Sequence, residues 1–307
     1  MQTILGANGS IANELAKTLP QYTKFIRLVS RNPRKINDTD EIFKADLLDA
    51  TQTDKAVEGS EVVYLTAGLV YDIKIWQKNW PIIMQNVIDA CKKHKAKLVF
   101  FDNVYMYGQV AEPMTENTPI KPNSKKGEVR AKIAGMIMDE VATGNLTALI
   151  ARSADFYGPN TPLSFMNVMV LENQAKKKNA QLMITAHTKH SFTYTPDAGK
   201  ATALLGNTPS AYNQVWHLPT DKNTLTGQEI VALGAAAFGQ KPNYTVLPKW
   251  LLRALGWFVP VIGESVEMLY QNSNDYIFDS SKFEKAFDFQ TTSYEEGIKK
   301  TVESYQS

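Results

Sequence analysis

The residues Ile4-Leu5-Gly6-Ala7-Asn8-Gly9-Ser10-Ile11-Ala12 decide how the rest of the chain is organised. They place a short apolar strand before a glycine turn, and the turn opens a helix whose apolar positions recur at helical spacing up to Pro20. Gly6 permits a tight turn that a Cβ atom would strain, and Gly9 lets the backbone come close to a phosphate. The peptide N–H groups and the dipole at the start of the helix favour a bound pyrophosphate.

The spacing of these small residues, Gly-x-x-Gly-x-x-Ala, is a variant of the fingerprint of dinucleotide-binding turns. We expect a bound dinucleotide to contact the turn and the first residues of the helix, namely Gly6, Asn8, Gly9, Ser10 and Ile11. A plain glycine turn after a strand is the alternative interpretation of the same residues.

Strand and helix patterns alternate along the first half of the chain. Apolar runs predict strands at 25–29, 42–47, 61–65, 97–101 and 146–151. Helical periodicity predicts helices at 51–58, 74–94 and 127–143. This alternation predicts an α/β fold, a Rossmann-like, doubly wound parallel sheet with right-handed crossovers. Because the pattern loosens after Gly158, we predict a dinucleotide-binding domain over 1–158 and a smaller mixed substrate lobe over 159–307, with about 190–218 returning to the sheet.

The end of the second predicted strand indicates which dinucleotide is bound. In a site for NAD, this strand often ends with an acidic residue that binds the ribose 2′-hydroxyl. Positions 29–36 contain no Asp or Glu, but they do contain Arg31, Arg34 and Lys35. A guanidinium suits a 2′-phosphate, which an acid would repel. We therefore predict NADP(H) rather than NAD(H), with Arg31 as a cofactor contact; an ordinary exposed basic loop is the alternative.

Composition excludes several classes of protein. The 307 residues include 33 basic and 31 acidic ones, and a net charge of +2 gives no electrostatic basis for binding nucleic acid. The single cysteine, Cys91, excludes an internal disulfide framework and fits a buried apolar position. Because neither a signal-peptide pattern nor a run of about 18 apolar residues occurs, we expect a cytoplasmic protein with no membrane partner. The histidines have no further ligands at metal-binding spacing, so no metal site is predicted.

Several short motifs, taken in order, resemble the extended branch of the short-chain dehydrogenase/reductase superfamily, the NAD(P)-dependent epimerase/dehydratase type. Besides the glycine turn they are Ala45-Asp46-Leu47, Leu65-Thr66-Ala67, Val104-Tyr105-Met106-Tyr107-Gly108, Arg152 with Tyr157-Gly158-Pro159, and Ser191-Phe192-Thr193-Tyr194-Thr195-Pro196-Asp197. The resemblance implies that Asp46 and Leu47 flank the adenine of the cofactor. It also implies that Thr66, Ala67 and Gly68 line the path of the ribose and pyrophosphate.

The catalytic residues of this family are a Ser or Thr followed by Tyr-x-x-x-Lys, and the chain departs from that pattern. Counted back from Tyr107-Gly108, Asn103 falls at the serine position, and Lys132 fits the lysine, with Glu128 where the tyrosine is expected. Three interpretations follow. In the first, Glu128 replaces the tyrosine as the acid/base, which needs a pKa raised by burial. In the second, Lys132, which also binds the nicotinamide ribose, is itself the acid/base. In the third, proton transfer is lost. An exposed Glu128–Lys132 pair at i, i+4 is the structural alternative.

A second departure concerns the substrate. Family members that act on sugar nucleotides often have an arginine before Asp-Phe, and here His190 occupies that position in Lys189-His190-Ser191-Phe192. The segment from Ser153 to Tyr157 is expected to pass near the nicotinamide and the substrate. We therefore predict that Asp155, Tyr157 and His190 contact a small-molecule substrate.

Three functions compete at this point. The first is an NADP-dependent oxidoreductase or epimerase-like enzyme that acts on a small hydroxyl or carbonyl compound through a non-standard site. The second is a non-catalytic NADPH-binding sensor, which the missing tyrosine suggests, and the third is a nucleotide-sugar epimerase. Because relatives often pair through the long helices after the fourth and fifth strands, we also predict a homodimer formed through 74–94 and 127–143.

Overall fold

The structure is a computed structural model that describes residues 1–306. Its strands are β1 (Gln2–Leu5), β2 (Ile26–Ser30), β3 (Glu41–Lys44), β4 (Val62–Leu65), β5 (Lys97–Asp102), β6 (Ala148–Arg152), β7 (Asp155–Tyr157), β8 (Ala180–Met183), β9 (Phe192–Tyr194), β10 (Val215–His217) and β11 (Tyr244–Leu247). Its helices are α1 (Ser10–Thr18), α2 (Ala50–Val57), α3 (Ile73–His94), α4 (Lys125–Ala142), α5 (Glu172–Ala175), α6 (Thr195–Gly206), α7 (Gly227–Ala237), α8 (Lys249–Gly256), α9 (Pro260–Ser265), α10 (Tyr270–Ser273), α11 (Ser281–Phe287) and α12 (Tyr294–Glu303).

Seven parallel strands within residues 1–306 form the central sheet, in the order β10-β6-β5-β4-β1-β2-β3. β1 pairs with β2 and with β4, so that Leu5 lies opposite both Val29 and Leu65. The direction of strand addition reverses between β1 and β4, and in open α/β sheets ligands bind beyond the carboxyl ends of the strands at such a point. The doubly wound parallel α/β fold predicted from the sequence is confirmed.

The chain divides into two compact units. The first comprises Met1–Met106, Lys125–Ser153 and Ala198–Leu218, and it contains the whole central sheet. Apolar side chains of β1, β4 and β5 form one core cluster with α2, α3 and α4, in which Leu5, Val87 and Ile133 are fully buried. Burial of this apolar surface is the dominant stabilising contribution to the unit.

The second unit is built from the remaining segments, 107–124, 154–197 and the chain from Pro219 onward. It contains two small parallel sheets, β7 with β9 and β8 with β11. A wide helical turn, Met166–Leu171, leads into α5 and packs with α7 and α12 around Leu171, Val231 and Ile298. Residues 107–124 belong to this unit although they precede residue 158, and the segment that returns to the central sheet is 198–218.

None of the helices within residues 1–306 combines the length and the apolar character that crossing a bilayer requires.

Candidate active site

The glycine turn joins β1 to α1 at the carboxyl edge of the central sheet. Gly6 has a φ of +104°, and a Cβ atom there would lie 2.4 Å from the backbone N and Cα atoms of Ala67. Only glycine fits this approach, and it brings the end of β1 against the chain leaving β4. Gly9, which has no side chain, is the N-cap of α1. The first-turn N–H groups of α1, including those of Ser10 and Ile11, therefore start directly at the turn, where they suit a phosphate.

Asn8 fixes the glycine turn to the loop after β2. Its backbone is left-handed, with a φ of +76°. Its Nδ2 donates to the carbonyl oxygen of Asn32 at 2.7 Å, and its Oδ1 accepts from the backbone N–H of Arg34 at 3.1 Å. The side-chain amide is thus used within the protein, and Asn8 links the turn to the basic loop.

The loop after β2 presents positive charge. The buried carboxylate of Asp40 accepts hydrogen bonds from the backbone N–H groups of Ile36 at 3.0 Å and Asn37 at 2.7 Å, so it holds the shape of the loop. The loop's basic side chains are exposed: Arg31, Arg34 and Lys35. A depression in the surface beside them is lined by Asn32, Pro33, Arg34, Ile42 and Lys44.

The turn after β3 contains the two residues that the resemblance assigns to the adenine. Asp46 is half-buried, and its Oδ1 accepts from the backbone N–H of Leu48 at 3.0 Å. Leu47 is buried, and its carbonyl oxygen accepts from Asn86 Nδ2 at 2.9 Å. The hydrogen bond from the backbone N–H of Ala45 to the carbonyl oxygen of Ser30, at 3.0 Å, holds this turn next to the end of β2.

The chain leaving β4 provides room beside the glycine turn. Both the backbone N–H and the hydroxyl of Thr66 donate to the carbonyl oxygen of Leu5, at 2.9 and 3.3 Å. Gly68 is exposed, and a Cβ atom there would meet no described atom within 4 Å. This arrangement fits the phosphates of a dinucleotide, because the backbone approaches closely at Gly6, the edge at Gly68 is open and α1 starts directly at the turn.

The inner face of α4 differs from the sequence prediction. Lys126 is fully buried and Arg130, one turn later, is 4% exposed, whereas Glu128 and Lys132 are exposed. Glu128 and Lys132, the pair predicted to act in catalysis and to bind the ribose, therefore face solvent, because the apolar residues of α4 bury the other side of the helix. That inward side could have been found from the sequence, since Lys126 and Arg130 share the helical spacing of the apolar residues Val129, Ile133 and Ile137.

Asp102, the last residue of β5, binds two buried arginines. Its Oδ1 accepts from Arg130 Nε at 2.7 Å, and its Oδ2 accepts from Arg152 Nε at 3.4 Å. All three side chains are at most 5% exposed. The guanidinium carbon of Arg130 also lies 4.8 Å from the ring centre of Trp80 and 4.9 Å from that of Phe100, a cation–π arrangement. These contacts fix Arg130 and Asp102 at the carboxyl edge of the sheet.

Two polar groups lie next to this ion cluster. The Lys126 ammonium is 4.6 Å from the ring centre of Tyr71, in the connection between β4 and α3. Asn103 directly follows β5, and its Oδ1 accepts from the backbone N–H of Tyr105 at 3.1 Å. This turn uses the amide oxygen of Asn103, whose Nδ2 group is a hydrogen-bond donor.

In the second unit, two of the predicted substrate contacts pair with each other. His190 Nε2 lies 2.9 Å from Asp155 Oδ2, and His190 Nδ1 lies 3.3 Å from the carbonyl oxygen of Gln271. The imidazole is buried between aromatic rings, 4.6 Å from Phe192 and 5.5 Å from Tyr276 between ring centres. His190 and Asp155 therefore form one polar pair, in which the carboxylate keeps the larger exposed fraction at 21%.

Tyr157, the third predicted substrate contact, is a core residue of the same unit. It is 1% exposed, and its ring packs against those of Tyr194 and Tyr294. Burial is the main cause that raises the pKa of Tyr157 well above its usual value. The structure thus gives Tyr157 a packing role where the sequence predicted a substrate contact. Within residues 1–306, no three His, Cys, Asp or Glu side chains cluster so that they could hold a metal ion.

Comparisons with known proteins agree with this architecture. The sequence is 24% identical over 98% of its length to the 3beta-hydroxysteroid-dehydrogenase/decarboxylase isoform 2 of Arabidopsis thaliana, and it spans 61% of that relative's length. The fold matches the UDP-glucuronic acid 4-epimerase of Bacillus cereus in complex with NAD, with a TM-score of 0.81, 16% identity and coverage of 100% of this chain and 99% of that one.

A second solved structure, the dTDP-glucose 4,6-dehydratase of Streptomyces venezuelae with NAD bound, matches with a TM-score of 0.82, 14% identity and coverage of 100% of this chain and 97% of the other. The sequence pattern of the NAD dependent epimerase/dehydratase family matches residues 3–216, more than half of the chain. The resemblance found in the sequence is thereby confirmed: the chain belongs to the NAD dependent epimerase/dehydratase family, which depends on a nicotinamide dinucleotide.

Proposed function

We propose that the protein is an NADP(H)-preferring oxidoreductase or epimerase-like enzyme that acts on a small hydroxyl or carbonyl compound. The observation that carries the proposal is the buried Lys126 ammonium at the same sheet edge as the glycine turn. The turn suits a dinucleotide, and the lysine supplies a proton donor where the family's tyrosine is missing.

The preference for NADP(H) is supported by the charge of the loop after β2. Arg31 and Arg34 are exposed there, and the Asp40 carboxylate is engaged by backbone N–H groups. A 2′-phosphate would meet cations at this place, and arginine binds phosphate with two parallel hydrogen bonds. Asn8 ties Arg34 to the glycine turn, so the two parts of the nucleotide site are held together.

The chemistry proposed for the chain's own residues is a proton transfer. When bound, the nicotinamide supplies or accepts the hydride at the substrate carbon. In the direction of reduction, the Lys126 ammonium donates its proton to the substrate oxygen as the carbonyl becomes a hydroxyl, and water returns a proton to the amine. Asn103 Nδ2 donates a hydrogen bond to the same oxygen. Arg130 and Asp102 position the inner face of α4 but do not themselves exchange the proton.

The substrate class rests on the second unit and on the named relative. The Asp155 carboxylate paired with His190 suits hydroxyl or amine groups better than phosphate. The name of the Arabidopsis relative specifies a 3β-hydroxysteroid, which is a secondary alcohol and therefore falls in the same chemical class. We include such compounds with simpler alcohols and ketones in the proposed substrate set.

The test is a turnover assay that follows nicotinamide absorbance with a panel of alcohols and ketones, including 3β-hydroxysteroids and UDP-sugars. The Lys126→Met variant should lose about 100-fold or more in turnover, the size expected for a lost general acid. Lys132→Met, at the exposed position first predicted to act, is the matched control and should stay within about twofold. Loss of turnover in Lys132→Met with retention in Lys126→Met would reverse the assignment and restore Lys132 and Glu128.

Two other functions give different results in the same assay. The non-catalytic sensor, which no comparison supports, requires cofactor binding without any hydride exchange. A nucleotide-sugar epimerase requires turnover of a UDP-sugar, even though His190 stands where an arginine is expected.

A further inference from the structure

The pair formed by His190 and Asp155 in the second unit has two further polar neighbours. Gln271, in α10, is 5% exposed, and its Nε2 group has no hydrogen-bond partner within residues 1–306. Its backbone carbonyl oxygen lies 3.3 Å from His190 Nδ1, so the amide side chain starts beside the imidazole. Tyr270, the preceding residue, has a buried hydroxyl that likewise lacks a partner among these residues. Buried polar groups without a partner destabilise a fold, so two of them beside one polar pair require an explanation.

Aromatic contacts and charge place Tyr270 next to the pair. The ring centre of Tyr276 lies 5.5 Å from that of His190 and 6.2 Å from that of Tyr270. Burial is the main cause that raises the pKa of Tyr270, and the charges of Asp155 and Glu267 raise it further. The phenol therefore stays protonated and can donate a hydrogen bond.

The pair itself presents an acceptor and no net charge. Both groups next to the imidazole of His190 are acceptors, namely the Asp155 carboxylate at 2.9 Å and the carbonyl oxygen of Gln271 at 3.3 Å. Both hydrogen bonds form when one proton lies on Nδ1 and another lies between Nε2 and the carboxylate. The imidazole and the carboxylate together are then neutral. The carboxylate, which is 21% exposed, keeps oxygen lone pairs for a ligand.

The cation that is adjacent in the sequence is directed elsewhere. Lys189 is exposed, and its charge helps to lower the pKa of the Glu229 carboxyl at the start of α7, after the larger effect of the hydrogen bonds from Thr226. Glu267 adds a second negative charge to the surroundings of the pair. A phosphate would thus meet two carboxylates and an imidazole whose charge Asp155 balances, which is unfavourable for an anion.

We propose, building on the function proposed above, that Asp155, His190, Tyr270 and Gln271 form a subsite that binds a neutral hydroxyl group of the substrate. A hydroxyl both donates and accepts hydrogen bonds. The subsite offers the Asp155 carboxylate as the acceptor, and the Gln271 Nε2 group and the Tyr270 hydroxyl as donors. An ammonium group, which only donates, would leave both donors unmatched, and a phosphate, which only accepts, would face the carboxylate.

The first measurement tests whether the amide of Gln271 is kept for a ligand. In the protein without added ligand, Gln271→Met should raise the melting temperature by roughly 2–4 °C, because an apolar side chain of similar length replaces an unpartnered donor. Gln174→Met is the matched control. Gln174 is 2% exposed in the same unit and donates its Nε2 to the carbonyl oxygen of Val231 at 2.9 Å, so its loss should lower the melting temperature. An unchanged or lower value for Gln271→Met would show that the amide already has a partner, such as a bound water, and would overturn the proposal.

The second measurement tests the rejection of phosphate. UDP is titrated into the protein with NADPH in excess, so that the diphosphate does not compete for the glycine turn. His190→Arg/Asp155→Asn replaces the neutral pair by two donors and should bind UDP at least about tenfold more tightly than the wild type. His190→Arg alone should gain much less, because Asp155 would still balance the guanidinium. Asp155→Asn alone gives the same comparison if the double variant does not fold, and UDP binding equal to that of the wild type in the folded variant would contradict the proposal.

The third measurement uses turnover of the hydroxyl compound that the wild type converts best. Gln271→Met and Tyr270→Phe should each raise its KM by about tenfold, since each removes one donor to the bound hydroxyl. An unchanged KM in both variants would place the hydroxyl elsewhere. If the wild type converts no compound, the proposed function fails, whereas the melting temperatures and the UDP titration still decide on the subsite.

Discussion

Replacing Arg130 by methionine tests whether the buried ion cluster organises the edge of the sheet. Arg130 donates to Asp102 at 2.7 Å, whereas the other arginine bound to that carboxylate lies at 3.4 Å. Removing Arg130 therefore leaves a buried carboxylate with its longer partner only. Breaking a buried ion pair on one side costs about 3–5 kcal/mol, because the remaining charge stays desolvated.

For a unit of this size, at about 3 °C per kcal/mol, a loss of 3–5 kcal/mol corresponds to a fall in melting temperature of roughly 9–15 °C. Thermal unfolding followed by circular dichroism measures it. Asp102→Asn removes the one carboxylate that both Arg130 and Arg152 bind, so it should cost at least as much stability as Arg130→Met. Lys132→Met on the exposed side of the same helix should change the stability by no more than about 0.5 kcal/mol.

A loss below about 1 kcal/mol for Arg130→Met, or a smaller loss for Asp102→Asn than for Arg130→Met, would show that the cluster does not depend on this pair. The activity of Arg130→Met, measured at a temperature where it is folded, should also fall, because α4 holds Lys126 one turn from Arg130.

Three further predictions concern the turn, the lone cysteine and the oligomer. Gly6→Ala should weaken cofactor binding about tenfold or more in a fluorescence titration, because its Cβ would lie 2.4 Å from Ala67, whereas Gly135→Ala in α4, with open space around its Cβ, should bind normally. Burial raises the pKa of the Cys91 thiol from 9.0 to about 12. Above pH 9 the unfolded chain releases the thiol proton, whereas the folded state keeps it. The stabilisation that the buried neutral thiol contributes is therefore fully present below pH 9 and is lost as the pH rises towards 12. Urea unfolding should therefore show a smaller loss of stability between pH 8 and about 10 for Cys91→Ala than for the wild type, and equal losses would contradict the burial argument. Light scattering should give a dimer through α3 and α4, and a monomer would rule out that pairing.

The sequence predicted β4, β5 and β6 well because these strands are short, mostly buried and separated by the helices α3 and α4. β2, β4 and β5 begin or end within one residue of the predicted ranges. The pattern of β1 followed by Gly6 and Gly9 also predicted the sheet edge at which a nucleotide site is proposed. A positive φ and a close backbone approach, as at Gly6, require glycine, so the residue type alone reveals them.

The sequence failed where the answer depended on the face of a helix or on distant contacts. Lys132 was chosen by residue type, but the direction of α4 is set by Val129, Ile133 and Ile137, which bring Lys126 and Arg130 inward. The membership of 107–124 in the second unit depends on contacts such as the backbone bridge between Met114 and Phe278, far apart in the chain. Local periodicity contains no information about such pairings.

The proposed nucleotide site is tested most directly by fluorescence titration of the purified protein with NADPH and with NADH, repeated on Arg31→Ala/Arg34→Ala. We expect NADPH to bind at least about tenfold more tightly than NADH, roughly 1.4 kcal/mol, and the double variant to lose this difference while it still binds NADH. Equal affinities in the wild type would contradict the assignment of the basic loop to a 2′-phosphate, and binding of neither nucleotide would contradict a dinucleotide site at the glycine turn.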